Sequence, residues 1–218
     1  MSQKILLIGT AIVISTALLI WLFMASTKPL SGIEANQDGR THVPEGSPVT
    51  YNFNPPTGGD HYASWITKGF YGEPRHDGNL VHSLEHGYII FWYDCTKPVL
   101  SSEFSIFKKV YAHELEATDA PQVAQTMDGG SGGIVHTKLT DMPKSFSDGS
   151  CDPLKNQIKG YIEKDNHKLI GMPRMGMDKP LILTSWGRIL KLDSFDESKI
   201  KEFVGAFRDN GPEHTTEP

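Results

Sequence analysis

His82-Ser83-Leu84-Glu85-His86-Gly87 runs directly into Tyr88-Ile89-Ile90-Phe91-Trp92-Tyr93. The second half shows no polar–apolar alternation. A continuous apolar run of that length suits a strand covered on both faces, which places it centrally in a sheet. With Val81 to His86 as a helical turn, His82 and His86 become i,i+4 neighbours on one face. That spacing lets two neutral imidazoles reach one metal ion. It equally lets them build a buried hydrogen-bond cluster with no metal, and the local pattern leaves both readings open.

Upstream, Lys68 to Asn79 reads as a loop with a solvated His76 at its tip. Before it, Asn54-Pro55-Pro56-Thr57-Gly58-Gly59-Asp60-His61-Tyr62 packs two prolines and two glycines into a short span, a non-repetitive backbone that holds His61 in a defined direction. Val49 to Phe53 alternates and reads as a first strand. Residues 26–46 read as a polar linker, with His42 solvated at its end.

Downstream, Ser102 caps an amphipathic helix to about Ala117, with Phe104, Phe107, Val110, Tyr111 and Leu115 at helical spacing. Residues 119–149 form an excursion: a Gly129–Gly133 loop, then an extended piece at 134–139. The glycine loop lacks the GK[ST] and the preceding strand of a phosphate-binding loop. Asp152 as N-cap and Pro153 at the first helical position open a helix to about Lys164. Strands come next at 168–170, 180–186 and 188–192, with Gly187 as a kink or bulge between the last two. Asp193 to Asp196 starts a final helix whose core face is Ile200, Phe203, Val204 and Phe207. The order gives an α+β domain, one sheet packed by helices.

Ile5 to Ala25 contains no charged residue. As a helix rising about 1.5 Å per residue it spans roughly the 30 Å hydrocarbon core of a bilayer. Phe23-Met24-Ala25-Ser26 is a poor cleavage site, so the run reads as an uncleaved transmembrane signal-anchor that exports the remainder of the chain. Cys95 and Cys151 are the only cysteines. In an exported domain such a pair is most simply a disulfide, and two buried thiols are the alternative. The formal net charge is -5 and no basic patch is interleaved with aromatics, which argues against nucleic acid as a partner. The divisions are 1–25 for the cytoplasmic tip and anchor, 26–46 for the linker, 47–213 for the extracytoplasmic domain and 214–218 for a tail.

The PPTGGDHY loop, HSLEHG, Ser185-Trp186-Gly187-Arg188 and Gly211-Pro212-Glu213 occur in that order. Together they resemble the membrane-anchored bacterial proteins of the "domain of unknown function 3105" family, over roughly His42 to Glu213 apart from the excursion. The family's loop commonly reads PPTSGPH, and here Gly58 and Asp60 replace its Ser and last Pro. The stretch between Cys95 and Cys151 is longer than is usual in the family. The resemblance implies a membrane-anchored, extracytoplasmic domain.

The metal reading gathers His61, His82 and His86, and adds Met175 and Met177 from Met172-Pro173-Arg174-Met175-Gly176-Met177. Thioethers suit copper(I), imidazoles suit copper or zinc, and an exported domain is where copper traffic is expected. Copper is therefore the preferred ion and zinc the alternative, with Glu85 and Asp60 bracing imidazole N–H groups. The metal-free alternative uses the same residues as satisfied polar groups, with the methionines filling core gaps. Catalysis has no motif to rest on. Glu85 precedes the second histidine, unlike HExxH, and neither GxSxG nor CxxC is present. A non-metal accessory subunit of a membrane complex is the other function class, with the excursion as its reach to a partner, and a metal-dependent enzyme ranks below it.

Overall fold

The computed structural model describes residues 3–26, 30–99 and 143–215. The helix expected at 102–117, the glycine loop at 129–133 and the extended piece at 134–139 lie outside the described residues. Two compact units divide the chain, 1–30 and 31–218.

In the first unit, helix α1 spans Gln3–Ser26. Its apolar side chains Ile12, Val13, Ile14, Leu19 and Trp21 stand exposed. Side chains along α1 are described only for 3, 8–10, 12–22 and 24. Among the described residues no helix is long and apolar enough to cross a membrane.

The second unit is built on a mixed six-stranded sheet, in the order β1 (Ile33–Glu34), β8 (Arg188–Leu192), β7 (Leu181–Ser185), β5 (Ile89–Tyr93), β6 (Leu169–Pro173), β4 (Gly69–Phe70). The apolar run after HSLEHG is β5. It lies inside the sheet, antiparallel to β7 and parallel to β6, with every residue buried. Successive strand side chains point to opposite faces. Ile89, Phe91 and Tyr93 accordingly meet α4 (Asp152–Asp165) and α5 (Glu197–Phe207) through Leu154, Ile158, Ile200 and Phe203. Ile90 and Trp92 meet Leu80 and Leu84 of α2 (Asp77–Glu85). Inside that second layer, Trp92 Nε1–H donates to Thr184 Oγ1 at 2.8 Å.

The parallel β5–β6 pair needs a long crossover. It includes the short helix α3 (Lys144–Ser147) and α4, and a disulfide joins Cys95 to Cys151 with a Cα–Cα distance of 5.3 Å. For a sequence separation of 56, chain entropy alone makes such a cross-link worth about 4 kcal/mol.

Local details depart from the sequence reading. Val49 to Phe53 is not a strand: Tyr51 is drawn into the interior, its hydroxyl donating to the Asp60 carbonyl at 2.8 Å. The strand pair in this region is instead β2 (His42–Val43) alongside β3 (His61–Tyr62), in parallel register. The loop at 68–79 contains β4 and the start of α2, and His76 is half-buried as the α2 N-cap, its ring accepting from Gly78 N–H. Cys151, not Asp152, occupies the N-cap position of α4, with no side-chain hydrogen bond capping the helix. Gly187, at φ +68°, closes a two-residue hairpin rather than a bulge, because Ser185 pairs with Arg188.

Asp196 caps α5 by accepting from the Ser198 hydroxyl and the Lys199 amide, and these bonds hold its carboxyl down at about 2. A carboxyl depressed in the folded state stabilises above its unfolded value and loses that contribution as pH falls toward the folded one. Asp196→Ala is expected to cost about 1 kcal/mol at neutral pH. In urea unfolding followed by circular dichroism, its difference from wild type should vanish as the pH is lowered from 3.8 toward 2; a pH-independent difference would contradict the assignment.

Candidate metal centre

Four separate stretches of chain meet at the C-terminal end of α2. The i,i+4 geometry expected for His82 and His86 holds: His86 N–H bonds the His82 carbonyl at 3.1 Å, and the two rings lie 4.4 Å apart. Glu85 shares this end of the helix and is 1% exposed. Leu80 and Leu84 pack inward against the sheet, so α2 carries its core face and its polar cluster on different sides.

The PPTGGDH loop brings in His61. Thr57 Oγ1 donates to the Ala35 carbonyl, Gly187 N–H donates to the Thr57 carbonyl, and Gly58 lies close under the Trp186 ring. These bonds seat the loop on the β7–β8 hairpin. Asp60 does not brace His61. Its carboxylate accepts from the Thr41 amide at 2.8 Å, and His61 N–H bonds the Thr41 carbonyl at 3.0 Å. Asp60 thus fixes the β2–β3 pairing, in which His42 stands directly beside His61. His42, half-exposed, becomes part of the cluster through that register alone.

The geometry of the four inner residues is specific. His61 Nδ1 faces the Gly59 carbonyl at 2.7 Å, and its Nε2 faces Glu85 Oε2 at 2.8 Å. His82 Nδ1 faces the Tyr62 carbonyl at 2.7 Å. A carbonyl only accepts, so each Nδ1 carries a proton. This leaves Nε2 of His82 as its lone-pair nitrogen, while Nε2 of His61 meets the carboxylate either with a second proton or, once that proton is lost, with its lone pair. His42 Nε2 lies 3.6 Å from the same Glu85 oxygen. Ring centres are 4.7 Å apart for His42–His61, 4.8 Å for His42–His82 and 5.0 Å for His61–His82. His42, His61, His82 and Glu85 each offer a ligand atom within 4.8 Å of all the others. A tetrahedral ion with bonds of ~2.0–2.2 Å needs donors roughly 3.3–3.6 Å apart, so small side-chain adjustments close this set on an ion.

The other oxygen of Glu85 is taken by Arg40, whose Nε donates to Oε1. Burial would push the Glu85 carboxyl up, but the Arg40 hydrogen bond, then the His61 and Arg40 charges, bring it below its ordinary value. Burial lowers His82, opposed by its bond to the Tyr62 carbonyl and assisted by the neighbouring histidines. A carboxylate kept ionised beside an imidazole kept neutral are the protonation states a metal requires.

A second group adjoins the first. His82, His86 and Glu213 also place ligand atoms within 4.8 Å of one another, with His86 Nε2 at 3.3 Å from Glu213 Oε2. Glu213 arrives because the C-terminal segment folds back across α2: Glu213 N–H donates to the Glu85 carbonyl at 3.1 Å, and Asp209 N–H to the Gly87 carbonyl at 2.9 Å. The buried Lys168 ammonium ties the His86 and Thr215 carbonyls together from beneath.

The structure therefore brings together His61, His82, His86 and Glu85 from the expected set. It packs Met177 among Leu80, Leu84 and Trp92 on the α2 face of the sheet, and Met175 against the cluster on the α4–α5 face. The segment's polar contribution is Arg174, which forms a forked ion pair with Asp77 at the start of α2 and also bonds Asn54. Arg40, His42 and Glu213 join a cluster to which the sequence reading had not assigned them. A signal for Glu213 was present in the Gly-Pro-Glu motif, and for His42 in its place at the start of the resemblance.

A family model described as "Protein of unknown function (DUF3105)" matches residues 42–124 and 145–218. The chain belongs to that family. The DUF3105 match includes every histidine and carboxylate of both groups and leaves 125–144, within the expected excursion, outside it. No curated protein and no solved structure matches the chain.

Gly211 makes the fold-back of the tail possible. A Cβ there would overlap the Glu85 carbonyl oxygen and the Gly87 amide nitrogen. Gly211→Ala is expected to lift the tail off α2 and cost about 1–3 kcal/mol in urea unfolding. Wild-type stability in that variant would show that the tail does not sit on Glu85.

Proposed function

We propose that this chain is a membrane-anchored, extracytoplasmic protein that holds one divalent transition-metal ion through His42, His61, His82 and Glu85. The observation that carries this reading is the environment of His61. Both its ring nitrogens face oxygen atoms, Gly59 O and Glu85 Oε2. One proton satisfies one contact only. The other is satisfied by a second proton or by a metal ion set between Nε2 and the carboxylate, and two further imidazoles stand ready around that point.

The donors decide the class of ion. Three imidazoles and one carboxylate are borderline ligands that suit zinc(II) or copper(II). The preference for copper(I) depended on thioethers, and Met175 and Met177 are used in apolar packing. An exported, disulfide-bonded domain keeps copper(II) as a candidate beside zinc(II). The ion would link β2, β3 and α2, three elements otherwise joined by short pairings. The anchor is supported by the uncharged run Ile5–Ala25 and the exposed apolar side chains of α1.

Two measurements test these parts separately. Full-length protein purified in detergent should carry close to one metal ion per chain by elemental analysis. His82→Ala should lose it and M175A/M177A should keep it. Equal metal content in wild type and H82A would remove the site, and loss in M175A/M177A would restore the methionines as ligands. Alkaline extraction of membranes should leave the full chain in the pellet and release a variant lacking residues 1–29; release of the full chain would refute the anchor.

A further inference from the structure

The two groups of ligand atoms share His82, and that sharing has a chemical consequence. His82 Nδ1 is committed to the Tyr62 carbonyl, so His82 has one lone pair, on Nε2, to give. An imidazole nitrogen with one lone pair binds one ion. Two ions cannot occupy the two groups with full donor sets at once. Nor do all the donors form one shell, since their ligand atoms lie within 4.8 Å of one another only inside each group.

Arg40 completes the pattern. Its Nε donates to Glu85 Oε1, and its Nη2 lies 3.9 Å from Glu213 Oε1. The remaining oxygen of each carboxylate faces histidine: Glu85 Oε2 toward His61 and His42, Glu213 Oε2 toward His86. One guanidinium thus orients both carboxylates with the same atom outward. When an ion leaves either carboxylate, Arg40 is beside it as the compensating charge. This matters most for Glu85, because an uncompensated buried carboxylate is costly.

Resting on the reading of this cluster as a metal site, we infer that it holds a single divalent transition ion in either of two positions. The holding position has four donors, His42, His61, His82 and Glu85. The transfer position has three, His82, His86 and Glu213, and the ion passes between them on His82. Three protein donors leave a tetrahedral ion one open coordination place. It opens beside half-exposed Glu213 and the exposed indole of Trp65, which lies 4.8 Å from the His86 ring. An incoming donor ligand, an imidazole, carboxylate or thiolate of a partner or a small chelator, attacks there before the ion is released. No bond other than metal–ligand bonds is made or broken, and no electron is transferred.

The test uses the full-length chain in detergent with cobalt(II) as the probe, its visible d–d absorption reporting coordination. Stopped-flow mixing with a chromophoric chelator gives the rate of transfer. Wild type should bind one equivalent. H86A, and E213Q, which preserves side-chain volume, should still bind one equivalent but transfer it at least about tenfold more slowly, because each removes a donor of the three-donor position that offers the incoming ligand an open coordination place. H42A should bind more weakly by at least about tenfold and show an altered spectrum, since it depletes only the holding position. Two equivalents in wild type would overturn the shared position, and so would wild-type transfer rates in both H86A and E213Q. Those results leave the metal site itself standing. Failure of wild type to bind cobalt(II) would remove the site and this inference together.

Discussion

A carboxylate that is 1% exposed must be compensated, and the Glu85 environment is organised by that need. Its side chain reaches Arg40 from the N-terminal segment and His61 from the PPTGGDH loop. Its backbone carbonyl takes the amide of Glu213 from the C-terminal tail. Three stretches remote in sequence are thus fixed on one residue of α2. The contacts also set charge: Arg40 and His61 keep the Glu85 carboxyl below its ordinary value although burial works the other way.

The rest of the fold holds that residue still. Strand β5 is covered on both faces, so its position depends on the packing of α4 and α5 on one side and α2 on the other. Helix α2 leads directly into β5 through Gly87, whose φ of +85° permits the sharp turn. The start of α2 is clamped by Arg174 on Asp77, and its end by Lys168 on the His86 carbonyl. A helix secured at both ends presents His82, Glu85 and His86 with little freedom, which is the preorganisation a metal site of defined geometry requires.

Local spacing made part of this structure legible in the sequence. The α+β class, the double burial of β5, the i,i+4 histidines and the core face of α5 come from periodicity over a few residues. The cysteine pair came from its even number and the expectation of an exported domain. His42, Arg40 and Glu213 depend on register and return of the chain: His42 enters only because a two-residue strand pairs in parallel with His61, and Glu213 only because Gly211 lets the tail touch α2. Composition misled at two places. The alternation of Val49 to Phe53 looked like a strand, but Tyr51 is used to hold Asp60. The methionines of residues 172–177 suggested Met175 and Met177 as soft ligands; Met175 lies against the apolar cluster of the α4–α5 face, Met177 lies in that of the α2 face, and Arg174 is the residue that contacts the start of α2.

His42, His61, His82 and Glu85, the residues proposed to coordinate one ion, all lie within the DUF3105 match. X-ray absorption at the metal edge, on full-length protein loaded with one equivalent of zinc(II), tests that coordination most directly. The expected result is three imidazole nitrogens and one oxygen at ~2.0–2.2 Å, with the outer-shell scattering that imidazole rings produce. A sulfur neighbour at ~2.3 Å, or a shell of oxygens without imidazole scattering, would contradict the assignment.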